Sequence, residues 1–213
     1  RSTVGWRWFA DARPNDAHLA LAELGRVTPL VGVVTQNVDG LHQAAGSSPV
    51  VDLHGNLARV TCLGCRAITS RIDLQGRLLR LNPGWAARLN AFAAEARTAP
   101  DGDAEVAEWA WLRLVQCGVC GGMLKPDVVF FGETVPRRRV QDAYALVDSA
   151  DVLLVAGSSL TVMSGLRYVR HFAAAGKPVA VINRGPTRAD DLAKVRLDAG
   201  TSEVLGELAA TLE

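Results

Sequence analysis

The 213-residue sequence has almost no net charge, because its 23 Lys and Arg residues are matched by 22 Asp and Glu residues. A chain so balanced lacks the basic surface that direct binding to nucleic acid or to an anionic membrane requires. Long apolar runs are missing as well, since the longest, near 152–156, has the length of a strand and not of a membrane span. The sequence therefore predicts neither a nucleic-acid partner nor a membrane partner.

Three further features are scarce or absent. The Gly-x-Gly-x-x-Gly fingerprint of nucleotide-dependent dehydrogenases occurs nowhere, which argues against an ordinary dehydrogenase. Lysine stands only at positions 125, 177 and 194 while arginine is abundant, a bias typical of GC-rich bacterial coding that favours a bacterial cytoplasm. No signal peptide is visible, but the chain starts at Arg1 and not at a methionine, so a leader that was removed or not included stays open.

The cysteines are few but regularly placed. All four fall into two Cys-x-x-Cys pairs, Cys62 with Cys65 and Cys117 with Cys120. A disulfide framework usually scatters its cysteines and a thioredoxin-like motif needs one pair, whereas two such pairs present four thiolates to one Zn²⁺ ion. Because cysteine fills all four positions, no site is left for a water ligand. The pattern predicts one structural zinc ion, and the chemistry must lie elsewhere.

Short apolar runs alternate with helical patterns over the rest of the chain. The predicted strands end in glycine or small polar residues; they are Leu30–Thr35, Val128–Phe131, Val152–Ala156 and Val179–Ile182. A helical pattern covers Val162–Ala175. Such alternation is typical of an α/β fold with a Rossmann-like parallel sheet covered by helices on both faces. We expect this domain to comprise residues 1–57 and 126–213, with a small zinc-binding module inserted at 58–125.

Two groups of residues are candidates for a nucleotide site and a catalytic base. Gly157-Ser158-Ser159 follows a predicted buried strand and is expected to open a helix, so its N–H groups and hydroxyls suit an anion, although such turns also serve packing. Asn183, after the next strand, is placed to hydrogen-bond a ribose. His54, in Val51–Gly55, is a candidate base, and a structural histidine is the alternative interpretation.

The combination of these motifs closely resembles the sirtuin family, from Pro14 to near the C-terminus. The motifs that carry the resemblance, in chain order, are Thr35–His42, Leu53–Gly55, the two cysteine pairs, Lys125–Glu133, Gly157–Leu160 and Val181–Asn183. Leu81–Trp85 and Gly185–Leu192 are most similar to the class II subgroup that includes the mitochondrial lipoamidase-type sirtuins. The resemblance implies an NAD-dependent protein-lysine deacylase, which transfers the acyl group of an acyl-lysine protein or peptide to ADP-ribose and releases nicotinamide.

The resemblance also implies roles for individual residues. His54 would be the general base, with Asn37 and Asp39 as further catalytic residues. The residues expected to bind NAD are Gln36, Asn37, Asp39, Gly157, Ser158, Ser159, Asn183, Arg184, Gly185 and Thr201. The residues expected to hold the acyl-lysine peptide as an added strand are Val129, Phe131, Gly132 and Glu133.

One departure from the family pattern leaves alternatives open. Sirtuins begin with a Gly-Ala-Gly-x-Ser strand and turn and with a Gly-Ile-Pro-Asp-Phe/Tyr-Arg loop, and neither occurs here. The first sheet strand is missing from this chain together with these motifs. We expect the chain to be a fragment of a longer protein, and the alternative is that it has lost part of its cofactor site. Mono-ADP-ribosyl transfer at the same NAD site is one alternative function, and a catalytically silent scaffold that binds zinc and peptide is another.

Overall fold

The computed structural model describes residues 5–6, 9–85 and 112–212. The elements, in chain order, are α1 (Asp16–Val27), β1 (Val33–Thr35), α2 (Leu41–Ala45), β2 (Val50–Asp52), β3 (Gly55–Cys62), β4 (Ile68–Ser70), α3 (Arg71–Leu81), β5 (Leu124–Val128), α4 (Arg137–Ser149), β6 (Leu153–Ala156), α5 (Met163–Ala174), β7 (Val179–Ile182), a 3-10 turn (Asp190–Leu192), β8 (Val195–Leu197) and α6 (Thr201–Leu212). In the described part of the chain, no helix has the length and apolar character needed to cross a membrane.

The described residues form two compact units. The first unit takes its described residues from within Arg1–Ala12, Asn37–Gly40 and His54–Glu133, and the second takes its described residues from within Arg13–Gln36, Leu41–Leu53 and Thr134–Glu213. Residues 37–40 and 54–57 therefore belong to the same unit as the cysteine-containing segment. The division into a nucleotide domain (1–57 and 126–213) and a zinc module (58–125) stays a prediction, and residues 86–111 of that module lie outside the described residues.

The second unit contains parallel sheets, as the alternating pattern predicts. Strand β1 pairs in parallel with β2, and β6, β7 and β8 form a parallel three-stranded sheet in the order β6-β7-β8. Because β7 is central in its sheet, nearly every side chain along it is enclosed: Val179 and Val181 are each only 1% exposed. The predicted α/β class is confirmed.

Helices cover both faces of the β6-β7-β8 sheet. Successive residues of a strand point to opposite faces, and on β7 the neighbours Val181 and Ile182 belong to different core clusters. Val181 packs with α4 and α5, through residues such as Val147 and Phe172. Ile182 packs with α1 and α6, and the residues of that cluster are Leu24, Leu205 and Ala209. The sheet is therefore a buried layer between two pairs of helices.

The ends of the helices follow from local chemistry. Asn15 caps α1 in a reciprocal capping box: its side-chain oxygen accepts the backbone N–H of His18 at 3.2 Å, and the ring of His18 accepts the N–H of Asn15 at 3.3 Å. The C-terminal end of α5 is followed by Gly176. Its φ of +76° is a left-handed value that lets the chain turn sharply towards β7.

The first unit is built on an antiparallel sheet in the order β4-β3-β5, against which α3 packs. Its core contains Val60, Leu74 and Leu78. The predicted strand Val128–Phe131 is wrong: the strand is Leu124–Val128, and it is antiparallel to β3 and not a member of a parallel sheet. Pro126 has no N–H to donate, but it is tolerated because β5 lies at the edge of its sheet, beside a register shift in β3.

Candidate functional site

The two cysteine pairs come together at one point of the first unit. All four sulfur atoms lie within 4.8 Å of one another, with Sγ of Cys62 3.5 Å from Sγ of Cys120 and Sγ of Cys65 3.8 Å from Sγ of Cys117. Four thiolates around one Zn²⁺ at Zn–S distances of about 2.3 Å stand about 3.8 Å apart, whereas a disulfide would bring two sulfurs to about 2 Å. The cluster therefore fits one tetrahedral zinc ion with four protein ligands and no open position.

Each pair lies on a tight turn whose N–H groups face the sulfurs. The N–H of Arg66 donates to the carbonyl of Cys62 at 3.0 Å, and the N–H of Gly121 donates to the carbonyl of Cys117 at 2.9 Å. Hydrogen bonds from the N–H groups of Cys65 and Gly64 lower the pKa of the Cys62 thiol to about 6, although burial opposes that shift. Hydrogen bonds from the N–H groups of Val119 and Cys120 likewise lower the pKa of Cys117. At Cys65 the N–H of Ala67 lowers the pKa, but the neighbouring cysteine side chains and burial raise it to about 11. The turns thus favour the thiolate form that a metal requires at Cys62 and Cys117.

Gly122 is a part of this site that the spacing of the cysteines does not reveal. A Cβ atom at position 122 would stand 3.0 Å from Sγ of Cys62 and 3.2 Å from Sγ of Cys120. Because glycine has no Cβ, Gly122 leaves room for the sulfur atoms of Cys62 and Cys120.

His54 lies in the turn that leads into β3. It is half-buried, and its backbone carbonyl accepts the N–H of Val129 at 2.8 Å. Gly55, the next residue, has φ of +92° and is buried, so the chain turns sharply directly after the histidine. This hydrogen bond extends the β3–β5 pairing by one step beyond Gly55 and Val128. His54 is therefore fixed to the beginning of the predicted peptide-binding residues.

Asn37 and Asp39 flank a buried valine. Val38 is 7% exposed and packs with Leu57, whose N–H donates to the carbonyl of Val38 at 2.8 Å. Gly40 closes the segment with φ of +74°, and a Cβ there would stand 3.1 Å from Nδ2 of Asn56. Asn37 is exposed and Asp39 half-buried, so Val38 anchors a segment whose two polar residues are accessible.

The predicted peptide-binding residues form a turn at the end of β5, here called the 129–133 turn. The N–H of Glu133 donates to the carbonyl of Phe130 at 2.9 Å, and Gly132 has φ of +86°, the value that the third residue of a type II turn needs. Phe130 packs on the Val38 cluster, whereas Phe131 is 82% exposed. The turn presents a large apolar side chain to solvent at the edge of the first unit.

The predicted nucleotide-binding residues of the second unit lie at the carboxyl edge of the β6-β7-β8 sheet. The N–H of Gly157 donates to the carbonyl of Ile182 at 2.9 Å, and the N–H of Asn183 donates to the carbonyl of Leu197 at 3.1 Å. A Cβ at Gly157, where φ is +63°, would stand 3.4 Å from the methyl group of Thr201. Gly157 and Thr201 are therefore neighbours, and open α/β sheets bind ligands at this edge.

The segment after Gly157 differs from the prediction that Gly157-Ser158-Ser159 opens a helix directly. Helix α5 begins at Met163, and the intervening residues form a loop in which Leu160 has φ of 55°. The hydroxyl of Ser158 accepts the N–H of Leu160 at 3.2 Å, and the hydroxyl of Ser159 lies 2.9 Å from that of Thr161. The two hydroxyls shape the loop by local hydrogen bonds, which compete with an earlier helix start.

Asn183 has a fixed amide orientation. Its Nδ2 donates to the carbonyls of Arg184 and Gly185, at 2.9 and 3.1 Å. The remaining polar atom, Oδ1, is an acceptor, which suits a ribose hydroxyl. Gly185 has φ of +78°, and the guanidinium of Arg184 lies over Gly200, where a Cβ would be 3.1 Å from it.

Comparison with known proteins identifies the family. The model of the Sir2 family matches residues 3–164. The chain is 56% identical over 212 residues to NAD-dependent protein deacetylase 1 of Mycobacterium avium, covering 100% of this chain and 75% of that protein. It is 54% identical over 202 residues to NAD-dependent protein deacetylase 1 of Streptomyces coelicolor, covering 92% of this chain and 64% of that protein. The chain belongs to the Sir2 family.

Solved sirtuin structures have the same fold. A Sir2 protein bound to a propionylated peptide superposes with a TM-score of 0.73 at 27% identity, over 95% of this chain and 73% of that one. A complex described as Sir2 with a p53 peptide and NAD⁺ gives a TM-score of 0.71 at 27% identity, over 95% of this chain and 72% of that one. The predicted resemblance to sirtuins is confirmed, and the roles of the individual site residues remain predictions.

The structure of this sirtuin adds residues that sequence reasoning missed. Nε2 of Gln36 donates to the hydroxyl of Ser164 at 2.9 Å, and a Cβ at Gly165 would stand 2.8 Å from Oε1 of Gln36. These contacts join the end of β1 to the first turn of α5. Gln36 and Ser164 are 128 positions apart, so no local spacing could have indicated the pair.

Arg196 is a second residue of this kind. Its Nη2 donates to the carbonyl of Gly185 at 2.8 Å, its Nε lies 3.3 Å from Asp190 and its Nη2 lies 3.5 Å from Asp198. Asp198 in turn accepts the N–H of Gly185 at 3.0 Å. Hydrogen bonds from Thr187, together with the nearby charge of Arg196, lower the pKa of Asp190. Arg196 thus fixes the loop that follows Asn183.

Proposed function

We propose that this chain is the catalytic part of an NAD-dependent protein-lysine deacylase of the deacetylase type. The observation that carries the proposal is its membership of the Sir2 family, together with identities of 56% and 54% to bacterial proteins named as NAD-dependent protein deacetylases. The reaction converts NAD, acyl-lysine and one water into nicotinamide, O-acyl-ADP-ribose and free lysine: the bond between nicotinamide and ribose breaks, and the acyl group passes from the lysine nitrogen to a ribose hydroxyl. Formally it is an acyl transfer, so the enzyme is a transferase.

The second unit supplies the groups proposed to bind NAD. Asn183 offers Oδ1 as an acceptor for a ribose hydroxyl, because its two amide protons are already bound to carbonyls. Gly157 turns the chain sharply after β6 beside Thr201, and without a side chain it presents backbone that a phosphate can approach. Ser158, Ser159, Arg184 and Gly185 complete this group, with Gln36 after β1.

His54, Asn37 and Asp39 are the residues proposed to act on the reacting centre. His54, as neutral imidazole, takes a proton from a hydroxyl of the nicotinamide ribose, which becomes the nucleophile that receives the acyl group. Asn37 and Asp39 line the ribose pocket, where a neutral amide orients a hydroxyl or water without competing for its proton. The hydrogen bond from Val129 to His54 supports this assignment, because it fixes the base relative to the peptide-binding residues.

The acyl-lysine substrate is proposed to bind along the 129–133 turn. An extended peptide adds to exposed backbone by main-chain hydrogen bonds, which makes binding tolerant of side-chain sequence. Val129 and Phe131 through Glu133 provide that edge, with Phe131 exposed beside it. The zinc ion, enclosed by Cys62, Cys65, Cys117 and Cys120, has no open position and stabilises the fold of the first unit.

We further propose that the protein works in a bacterial cytoplasm. Four cysteines that bind zinc as thiolates require a compartment in which thiols stay reduced. The low lysine and high arginine content and the bacterial relatives point in the same direction.

The purified full-length protein, incubated with NAD and an acetyl-lysine peptide, tests the proposal. We expect nicotinamide, deacetylated peptide and O-acetyl-ADP-ribose in equal amounts, none of them formed without NAD. Release of nicotinamide with ADP-ribose attached to protein and no deacetylated peptide would instead establish mono-ADP-ribosyl transfer. If the folded, zinc-loaded protein consumes no NAD with any acyl-lysine peptide, the result would favour the catalytically silent scaffold.

A further inference from the structure

Glu133 closes the 129–133 turn by two hydrogen bonds to the backbone of Phe130. The backbone N–H of Glu133 donates to the carbonyl of Phe130, and the carboxylate of Glu133 accepts the N–H of Phe130, both at 2.9 Å. Both backbone groups of Phe130 are therefore bound to the residue three positions later. Such a double closure leaves the backbone between them little freedom.

Lys125 binds the same carboxylate from the strand before the turn. Its Nζ donates to Oε2 of Glu133 and, at 2.9 Å, to the carbonyl of Val128, and it lies 4.7 Å from the centre of the Phe130 ring. The Lys125 side chain is 21% exposed and that of Glu133 is 44% exposed. A pair held by backbone hydrogen bonds as well as by charge has one geometry, unlike most exposed ion pairs.

The carboxylate of Glu133 is thus used within the turn. Burial raises the pKa of Glu133, but the hydrogen bonds from Lys125 and from the N–H of Phe130 outweigh it and bring the pKa below its usual range. The carboxylate is then ionised at neutral pH and remains bound to its two donors.

We propose that Lys125 and Glu133 are positioning residues for the acyl-lysine peptide: the pair holds the 129–133 turn in the shape that receives the substrate strand. The inference rests on the proposed function of this turn. In this proposal the carboxylate of Glu133 does not contact the peptide directly, but acts by holding the backbone of Phe130. The same turn begins at Val129, which is bonded to His54, so its shape also sets where the acyl-lysine lies relative to the base.

The experiment uses the full-length protein and replaces one charge at a time. Glu133→Gln keeps the size of the side chain and an acceptor oxygen, Lys125→Met keeps an unbranched apolar side chain without the charge, and Lys125→Arg keeps the positive charge. Asp142→Asn, in the exposed pair of Arg138 and Asp142, is the matched control for the change from carboxylate to amide. KM is measured separately for an acetyl-lysine peptide and for NAD, with kcat, zinc content and melting temperature on the same preparations.

We expect Glu133→Gln and Lys125→Met to raise the KM for the peptide about tenfold, the effect of losing one charge-assisted hydrogen bond, with the KM for NAD and kcat changed less than about twofold. Lys125→Arg should restore most of the peptide affinity, and Asp142→Asn should match the unmodified protein. A role confined to stability predicts a lower melting temperature with an unchanged peptide KM, and that result overturns the proposal. A parallel rise of both KM values overturns it as well.

Direct binding of a fluorescent acetyl-lysine peptide, followed by anisotropy, separates this inference from the proposed function. If the unmodified protein binds the peptide but does not consume NAD, the proposed function fails, and weaker peptide binding by Glu133→Gln still supports the positioning pair. If the unmodified protein turns over and both variants bind the peptide normally, only the positioning inference fails. A protein that neither turns over nor binds the peptide contradicts both.

Discussion

The N–H of Val129 donates to the carbonyl of His54 at 2.8 Å. This hydrogen bond joins the proposed base to the first residue of the proposed peptide-binding turn. It exists because β3 and β5 are antiparallel partners and their pairing continues one residue past Gly55 and Val128. A base and a substrate strand held by one sheet keep a constant separation, which proton transfer and acyl transfer both require.

His54→Ala should abolish acyl transfer without unfolding the protein. Removal of a general base typically lowers the rate by about 10²–10⁴-fold, and the backbone hydrogen bond to Val129 survives the change of side chain. Turnover, NAD affinity and melting temperature are measured on one preparation. His171→Ala, which removes a half-exposed histidine that pairs with Asp148 in the second unit, is the matched control and should keep its activity. A folded His54→Ala protein with near-normal turnover would rule out the catalytic role.

The zinc ion should be required for the stability of the first unit. In a closed site of four thiolates, the binding free energy of the metal contributes to folding. Cys62→Ser or Cys117→Ser is expected to release zinc and to lower the melting temperature or cause aggregation, as measured by metal analysis and thermal denaturation. Full zinc content after loss of both cysteines of one pair would contradict a single shared site.

A smaller change at the same site tests the packing around the sulfurs. Gly122→Ala places a methyl group 3.0 Å from Sγ of Cys62, so we expect weaker zinc retention against a chelator and a lower melting temperature. Gly118→Ala is the matched control, because no atom lies within 4 Å of a Cβ at that position. Equal zinc retention by the two variants would show that the sulfur cluster adjusts to the methyl group.

How much the sequence predicts depends on the range of the interactions involved. Each half of the zinc site is encoded by the spacing within its cysteine pair, because a four-residue turn brings its two sulfurs together. The parallel sheet is encoded by continuous apolar strands that end in glycine or asparagine. Gly157 and Asn183 reach the same edge because the strands before them are parallel neighbours.

Interactions between distant segments could not be predicted in this way. The predicted strand Val128–Phe131 is wrong because this apolar run covers the end of a strand and part of a turn. The turn is fixed by the hydrogen bonds of Glu133 and Lys125, which an apolar pattern does not reveal. Ser164 and Arg196 carry no motif of their own. Their importance follows from what they touch, which only the folded chain defines.

Gly157→Val should block NAD binding. Valine at position 157 meets Thr201 and must also adopt φ of +63°, which costs a β-branched residue about 1–3 kcal/mol. The strain alone could unfold the protein, so the control is Gly176→Val, where φ is +76° and no atom lies within 4 Å of a Cβ. Isothermal titration with NAD should show lost affinity for the first variant and normal affinity per folded molecule for the second. Normal affinity in both would remove Gly157 from the cofactor site.

The contact between Gln36 and the first turn of α5 gives the last prediction. Gly165→Ala brings a methyl group within 2.8 Å of Oε1 of Gln36, so the amide must move and its Nε2 loses the hydrogen bond to the hydroxyl of Ser164. Loss of one such hydrogen bond should raise the KM for NAD about three- to tenfold, with the KM for the acyl-lysine peptide unchanged.

The matched control for this change is Gly206→Ala, a glycine-to-alanine replacement within α6 where no atom lies within 4 Å of the added Cβ. Alanine is the better helix former by about 1 kcal/mol, so the control should be slightly more stable and bind NAD normally. Ser164→Ala removes the acceptor without adding volume and should reproduce the NAD effect of Gly165→Ala. If both variants fold and keep the normal KM for NAD, Gln36 does not depend on this contact, because its amide can then reach the cofactor from another rotamer.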